Sequence, residues 1–250
     1  MLVFLDYDGT LAPIVPNPDE AWMPASVRAA VVRLAERKDV AIVSGRGREK
    51  VKDFVKIPGL YYAGSHGFDI AGPDVEHIVA EEALPALNSA RDAIAERLRG
   101  VAGATVEDNR FSMSVHWRNV AEGADRALVT TVTEEEVASR PNLAMKTGKC
   151  VYELRPDTGV EWNKGEAVLY LMDFLLKGDA SAASTDGVVP VFVGDDTTDE
   201  DAFAVLQNLN GLCMLVTATG DTERPRDTFG THTLGSYVEV EEFINELAAM

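Results

Sequence analysis

Short apolar segments alternate with amphipathic segments along most of the chain, and this alternation restricts the possible folds more than any other feature. Apolar runs of four or five residues predict buried strands, and five of them are found at 2–5, 40–43, 60–63, 189–193 and 212–216. Helical periodicity is found between them at 26–37, 164–176 and 198–206. Strands that alternate with helices are typical of a parallel sheet covered by helices on both faces. We therefore predict an α/β fold with a doubly wound parallel sheet.

The middle of the chain follows a different pattern. Polar and apolar residues alternate at 111–117, as on a strand with one exposed face. This segment belongs to a predicted helix-strand-strand-helix-strand-strand block, with helices at 82–99 and 122–137 and further strands at 143–145 and 150–154. We predict that residues 83–158 form an inserted α+β domain between the two parts of the core domain, 1–82 and 159–250.

The charge of the chain limits its partners. The 250 residues carry a formal net charge of −18, and such an acidic surface repels both phosphate backbones and anionic lipids. We therefore expect no nucleic acid and no membrane as partner. The first apolar run is too short for a signal peptide and no run approaches the ~18 residues of a membrane span, so the expected location is the cytoplasm. Cys150 and Cys213 lie in apolar or strand-like runs and are expected to be buried free thiols.

Polar residues follow the first two predicted strands, at the end where open parallel sheets bind ligands. Asp6 and Asp8 come directly after the first strand. Two carboxylates at this spacing can share a hard cation or divide the roles of nucleophile and acid or base, although an acidic turn explains this segment equally well. Ser44, Gly45 and Arg46 follow the second strand, where a hydroxyl and backbone N–H groups can hold an oxyanion. Taken alone, a helix cap at Ser44 is the simpler interpretation.

Two further clusters lie after the predicted inserted domain. Lys164 opens a predicted helix, where the helix dipole disfavours a cation, so without a nearby anion its side chain is expected in solvent. Asp195 and Asp196 follow the strand at 189–193, where adjacent carboxylates in a cleft need a metal ion. The acidic residues that come next, Asp199 among them, suit the opening of a helix.

The order of these clusters is more informative than any one of them. A pair of carboxylates, a hydroxyl, a lysine and a second pair of carboxylates, each at a strand or helix end, predict a site for Mg²⁺-assisted phosphoryl transfer. In that chemistry, positive charge neutralises the phosphoryl oxygens while a carboxylate attacks in line.

This ordered set resembles that of the haloacid dehalogenase-like (HAD-like) phosphohydrolase superfamily, whose core is a Rossmann-like sheet. The resemblance implies that Asp6 is the nucleophile that forms an aspartyl-phosphate. It also implies that Asp8 protonates the leaving alcohol and later activates water, and that Ser44 and Lys164 hold the phosphoryl oxygens. The implied cofactor is Mg²⁺, with Asp6, Asp195 and the backbone carbonyl of Asp8 as ligands and Asp196 and Asp199 as auxiliary groups.

The predicted inserted domain carries two clusters of hydrogen-bonding residues. Such clusters suit a polyhydroxylated ligand, because each hydroxyl can donate and accept, although charged strands in solvent would give the same pattern. The first cluster contains Glu107, Asn109, Arg110, Ser112, His116 and Arg118, and the second contains Lys149, Glu153 and Arg155.

Within the superfamily, the chain is similar to the trehalose-6-phosphate phosphatase family. The similar stretches span both predicted domains and lie at 6–11, 63–67, 106–110, 116–118, 153–156, 161–165 and 194–203. The similarity implies that Glu107, Lys149 and Glu153 contact the glucose ring distal to the phosphate, and that the inserted domain is a cap. The other candidate substrate-binding residues are Gly45, Arg46, His66, Asn109, Arg110, His116 and Arg155. Arg110 stands where the family commonly has lysine, which keeps the charge but changes the hydrogen-bond geometry.

Three functions remain open at this point. The first is hydrolysis of trehalose 6-phosphate, and the second is hydrolysis of another phosphorylated disaccharide or glycoside, such as sucrose 6-phosphate or a mannosyl-phosphoglycerate. The third is a catalytically silent regulatory subunit that binds a sugar phosphate. The complete set of reacting side chains favours an enzyme. We expect a monomer whose partner is a small sugar phosphate.

Overall fold

The computed structural model describes residues 1–148, 150–159, 162–178, 187–217 and 227–250. Its contacts divide the chain into two compact units. The first unit comprises Met1–Ser44, Arg48–His77 and Trp162–Met250, and the second comprises Gly45–Gly47 and Ile78–Glu161. The boundaries of the inserted domain that the sequence indicates, 83–158, stay a prediction.

The described residues contain twelve strands and seven α-helices. The strands are β1 (Leu2–Leu5), β2 (Asp39–Val43), β3 (Tyr61–Gly64), β4 (Asp69–Gly72), β5 (Val75–Ile78), β6 (Thr105–Asp108), β7 (Met113–His116), β8 (Leu143–Gly148), β9 (Val151–Pro156), β10 (Pro190–Gly194), β11 (Leu212–Val216) and β12 (His232–Leu234). The helices are α1 (Ala25–Ala35), α2 (Arg48–Val55), α3 (Leu84–Arg97), α4 (Ala124–Ala138), α5 (Lys164–Leu175), α6 (Glu200–Gln207) and α7 (Tyr237–Ala249).

The first unit is built on a sheet of eight strands in the order β12-β11-β10-β1-β2-β3-β4-β5. The pairs from β12 to β3 are parallel, and β4 pairs with β3 in the antiparallel direction. Alternate residues of β1 enter two different cores, since Val3 and Leu5 pack with α1, α2 and α7, whereas Leu2 and Phe4 pack with α5 and α6. Because both faces of the sheet are buried by helices, the predicted α/β fold with a doubly wound parallel sheet is confirmed.

The second unit contains an antiparallel sheet in the order β6-β7-β9-β8. The helices α3 and α4 pack against one face of this sheet. Residues that alternate along the strands form that buried face, as Met113 and Val115 do on β7 and Leu154 does on β9. The side chains between them therefore lie on the other face.

Several elements differ from the sequence-based expectation. The hairpin of β4 and β5 and the helix α2 were not predicted, because their patterns are short and α2 buries only Val51 and Val55. The predicted helix at 198–206 begins instead with a 3₁₀ turn, Thr197–Asp199. Cys213 is a buried free thiol as expected, but Cys150, a free thiol in a left-handed turn with φ of 65°, is only partly buried. None of the described helices combines the length and apolarity needed to span a membrane.

Candidate active site

The carboxyl ends of three neighbouring strands bring the predicted reacting groups to one edge of the large sheet. Asp6 follows β1, Ser44 follows β2 and Asp195 follows β10, and β1 lies between the other two strands with parallel pairing on both sides. Asp6 is held there by its backbone N–H group, which donates to the carbonyl oxygen of Val193 at 2.9 Å. The order of the strands therefore places the first and last carboxylate clusters side by side.

Lys164 is buried at this edge rather than exposed to solvent. Its Nζ donates to Oδ1 of Asp6 and to Oδ1 of Asp199, both at 2.7 Å, and the lysine side chain is 3% exposed. Asn163 caps the helix by accepting a hydrogen bond from the N–H group of Glu166, so the helix starts at Lys164. Burial lowers the pKa of the ammonium, but the carboxylates of Asp199 and Asp6 outweigh this effect and raise it. Lys164 is therefore a permanently charged group, and the anions near it explain its position at a helix N-terminus.

Three carboxylates cluster at this site, and two of them accept hydrogen bonds from the ammonium group of Lys164. Oxygen atoms of Asp6, Asp195 and Asp199 lie within 4.8 Å of one another. Burial and the neighbouring carboxylates raise the pKa of Asp6 to about 8, although the nearby Lys164 acts in the opposite direction. The same causes raise the pKa of Asp195 well above its usual value. Three ionised carboxylates carry more negative charge than the single ammonium group of Lys164 neutralises. This donor set, hard carboxylate oxygens in charge excess, fits a Mg²⁺ ion.

Asp199 has a larger part in this cluster than the sequence indicates. Its side chain is fully buried, and while Oδ1 accepts from Lys164, Oδ2 accepts from the backbone N–H groups of Asp195 and Asp196, both at 2.9 Å. Asp199 thus fixes Lys164 and the chain at Asp195 at the same time. The sequence offered one sign of this role, because Asp196 and Asp199 have the spacing of a capping box.

The turn after β1 depends on a glycine. Gly9 has a φ of +78°, and a Cβ atom at this position would lie 2.1 Å from Oδ2 of Asp195. The turn is also fixed by Tyr7, whose buried hydroxyl donates to the carbonyl of Ala21 at 2.8 Å and accepts from the N–H group of Met23 at 3.1 Å. Asp8 lies in this turn and is partly buried.

A left-handed loop after β3 holds Ser44 in place. The residues Ser65, His66 and Gly67 have φ values of 50°, 56° and 97°. This conformation directs the N–H group of His66 to the carbonyl of Ser44 at 2.9 Å. A Cβ atom on Gly67 would lie 2.4 Å from Cβ of Ala167 on α5, so the loop packs closely on the helix that carries Lys164. The backbone of His66 thereby connects the positions of Ser44 and Lys164.

Two predicted metal-binding residues lie outside the three-carboxylate cluster of the described residues, namely Asp8 and Asp196. The exposed carboxylate of Asp196 accepts from the N–H group of Thr197 at 2.5 Å and from its hydroxyl at 3.1 Å. It therefore caps the turn that leads into α6.

The remaining predicted substrate-binding residues belong to the second unit. Glu107 and His116 lie on the sheet face opposite α3 and α4, with Oε2 of Glu107 3.0 Å from Nε2 of His116. Glu153 and Arg155 lie on the same face of β9, since Leu154 between them is buried in the core. Lys149 lies outside the described residues.

Four other candidates belong to the second unit, namely Asn109, Arg110, Gly45 and Arg46. Oδ1 of Asn109 accepts a hydrogen bond from the N–H group of Gly47 at 3.3 Å. Arg110 has a φ of 68°, and its guanidinium lies over the ring of Phe111 at 4.9 Å. Gly45 and Arg46 are grouped with this unit, and Arg46 is 6% exposed.

Comparison with known proteins gives matches over almost the whole chain. The family described as trehalose-phosphatase matches residues 4–231. Among curated proteins, "Probable trehalose-phosphate phosphatase D" of Arabidopsis thaliana is 41% identical and covers 99% of this chain and 67% of its own length. "Trehalose 6-phosphate phosphatase RA3" of Zea mays is also 41% identical, over 99% of this chain and 70% of its own length.

Solved structures match the fold. A "trehalose-6-phosphate phosphatase related protein" superposes with a TM-score of 0.80 at 24% identity, covering 100% of this chain and 97% of the other. The C-terminal domain of trehalose-6-phosphate phosphatase of C. albicans superposes with a TM-score of 0.75 at 22% identity, covering 99% of this chain and 92% of the other. At these identities the structures show a common fold.

Proposed function

This chain belongs to the trehalose-phosphatase family, and we propose that it hydrolyses trehalose 6-phosphate to trehalose and phosphate. The observation that carries this proposal is the convergence of Asp6, Lys164 and Asp195 at one sheet edge, within the region matched by the family. A phosphatase needs a nucleophile, a cation for the phosphoryl oxygens and a metal site, and these residues supply all three.

The proposed reaction begins at Asp6. A carboxylate oxygen of Asp6 attacks phosphorus in line and forms an aspartyl-phosphate, while the bond from phosphorus to the sugar oxygen breaks. Asp8 gives a proton to the departing sugar oxygen, which is a poor leaving group without it. Asp8 then takes a proton from water, and the water attacks phosphorus, releasing phosphate and restoring the Asp6 carboxylate. Lys164 and Ser44 hold the phosphoryl oxygens throughout.

The proposed cofactor is Mg²⁺. Its ligands would be the carboxylates of Asp6 and Asp195 and the backbone carbonyl of Asp8. When bound, it neutralises negative charge on the phosphoryl group. Lys164 brings one positive charge to a cluster of three carboxylates, so the metal ion would supply the further positive charge that lets an anionic substrate approach Asp6. We propose no ligand role for Asp196, because its carboxylate caps the following turn.

Recognition of the sugar is proposed for the second unit, with residues 83–158 as the cap domain. Glu107 and Glu153 would accept hydrogen bonds from sugar hydroxyls, and Lys149 and Arg155 would donate them. His116 would orient Glu107 through their contact. The cytoplasmic location and the monomeric state remain predictions from the sequence.

A phosphate-release assay tests the function. The purified chain is incubated with the 6-phosphates of trehalose, sucrose, glucose and mannose, with and without Mg²⁺, and with the Asp6→Asn variant as a blank. We expect Mg²⁺-dependent release with trehalose 6-phosphate as the best substrate. Preference for sucrose 6-phosphate would replace the proposed substrate. Absence of release from every ester, together with retained binding of trehalose 6-phosphate, would identify a regulatory protein.

A further inference from the structure

One transverse row of the second unit's sheet contains four polar side chains, one from each strand. Glu107 on β6 pairs with Ser114 on β7, Ser114 pairs with Glu153 on β9, and Glu153 pairs with Lys146 on β8. Residues that pair across strands share one face of the sheet, and their Cβ atoms lie ~4.5–5.5 Å apart. Lys146 is therefore a direct neighbour of Glu153, although the two are seven positions apart in the chain.

This polar row lies on the face away from the core of the unit. The residues next to its members, including Val115, Leu154 and Met145, pack with α3 and α4 on the other face. With strands ~4.8 Å apart, the row is roughly 14 Å long from Glu107 to Lys146. Glu107 and Glu153 are partly buried and Lys146 is exposed, so the cation at one end of the row is accessible to a ligand.

The mix of acceptors and donors in the row suits the hydroxyl groups of a saccharide. The two carboxylates only accept hydrogen bonds, the hydroxyl of Ser114 donates and accepts, and an ammonium only donates. A sugar ring whose hydroxyl protons are donated to Glu153 still presents the lone pairs of those oxygens. A donor beside Glu153 would satisfy them, and the register places the ammonium group of Lys146 on the strand next to Glu153, on the side opposite Ser114.

We propose that Lys146 is a specificity-determining residue that donates to the hydroxyl oxygens of the sugar ring bound by Glu153. This role rests on the proposed function and extends it to a residue that sequence motifs did not indicate. A purely structural role is the competing explanation, because β8 is an edge strand of the sheet and charged lysines on edge strands prevent association with other strands. The two explanations predict different effects on substrate selectivity.

The test compares Lys146→Ala with two matched controls. Lys52→Ala removes another exposed lysine, from α2 in the first unit, and Thr147→Ala changes the neighbouring residue, which lies on the other face of the sheet. For Lys146→Ala we expect kcat/KM for trehalose 6-phosphate to fall about tenfold, mostly through KM, because a charged hydrogen bond to substrate is lost. The fall for p-nitrophenyl phosphate, which has no sugar, should be much smaller. Both controls should match the wild type on both substrates.

Binding of the product gives a second readout. Inhibition by trehalose should weaken by about the same factor in Lys146→Ala, and Lys146→Arg should recover part of it because it restores a donor. An equal change with the two substrates, or none, would overturn the role of Lys146 and leave the proposed function intact. If the wild type prefers another sugar phosphate, the function fails, and the same comparison with that ester decides the role of Lys146. Lys146→Met, which keeps the aliphatic stem, replaces the alanine variant if the latter does not fold.

Discussion

The acidic cluster of the first unit and the polar face of the second unit hold their functional groups by different means. Lys164 and Asp199 are almost inaccessible and fix each other through short charged hydrogen bonds and backbone contacts. On the second unit's sheet, the side chains of Glu107 and His116 remain 20% and 34% exposed. The register between the strands is what places Ser114, Glu153 and Lys146 in one row with Glu107. We infer that the first arrangement preorganises a general reaction, whereas the second can change substrate with few substitutions.

The largest expected effect tests the first half of this comparison. Asp6→Asn should lower phosphate release from every substrate by at least about 10³-fold, because an amide cannot form the acyl phosphate. The melting temperature should not fall, because Lys164 keeps its hydrogen bond to Asp199. The substitution also removes a buried carboxylate whose raised pKa indicates that its charged form is unfavourable in the folded protein. Release assays and thermal unfolding of the same preparation measure both. Turnover close to that of the wild type would remove Asp6 from the role of nucleophile.

Activity should be nearly as sensitive to a substitution at Gly9, where the backbone is left-handed. Gly9→Ala is expected to lower kcat about 10²-fold, because the new Cβ atom would collide with the carboxylate of Asp195 and displace it by about 1 Å or more. Gly59→Ala is the matched control, since Gly59 has a φ of +80° but nothing within 4 Å of a Cβ atom. Both variants carry the strain of a left-handed alanine, so only the collision separates them. Equal activities would show that the contact between Gly9 and Asp195 is not needed.

The sequence predicted the first unit well where local patterns determine the result. Two-sided burial gives continuous apolar strands, and the confirmed family and fold follow from motifs at the strand ends. Lys164 by itself was expected in solvent, because its partners Asp6 and Asp199 are 158 and 35 residues away in the chain. Asp199 was underestimated for the same reason, since its bond to Lys164 exists only once α5 and the turn after β10 meet. The roles of the individual site residues remain predictions.

Substitutions in the second unit should change the selectivity between substrates, whereas substitutions in the first unit should not. Glu153→Gln is expected to lower kcat/KM for trehalose 6-phosphate ~10- to 100-fold, because a charged acceptor for sugar hydroxyls becomes a neutral amide, and to lower it far less for p-nitrophenyl phosphate. Glu134→Gln on α4 is the control, as it removes one exposed carboxylate from the same unit. Steady-state kinetics with both esters distinguish the outcomes, and parallel losses would place Glu153 outside the sugar site.

The second unit also shows what sequence patterns cannot provide. Alternation predicted which residues of β7 face the core, and the structure agrees at Met113 and Val115. Pairing between strands could not be predicted, because the strands of this sheet do not pair in sequence order and a shift of two residues preserves the same alternation. Lys146 was missed for that reason, whereas Lys149, which the motif indicated, lies outside the described residues.

Mg²⁺ binding should raise the melting temperature moderately, and this rise should depend on the carboxylates of the acidic cluster. Saturating Mg²⁺ is expected to raise the melting temperature by several degrees, since binding at 100 times Kd contributes about 2.7 kcal/mol and each kcal/mol corresponds to ~2–4 °C in a chain of this size. Asp195→Asn should lose most of this shift, and Asp53→Asn on α2 should keep it. Differential scanning fluorimetry with a Mg²⁺ titration provides the measurement. A full shift in Asp195→Asn would exclude Asp195 as a ligand.

The smallest expected effect separates two adjacent carboxylates. Asp196 is exposed and caps the turn before α6, so Asp196→Asn, which keeps a capping oxygen, should retain both the Mg²⁺ shift and the activity within about twofold. Asp196→Ala should lose about 1 kcal/mol of stability because the cap is removed, with Mg²⁺ affinity still close to that of the wild type. If Asp196→Asn instead weakens Mg²⁺ binding tenfold, the carboxylate itself is a ligand and the metal site extends beyond the buried cluster. Asp195 and Asp196 are neighbours in sequence but differ in burial. Comparing their variants therefore tests whether a carboxylate must be part of the buried cluster with Lys164 to bind the metal ion, or whether any carboxylate after β10 is sufficient.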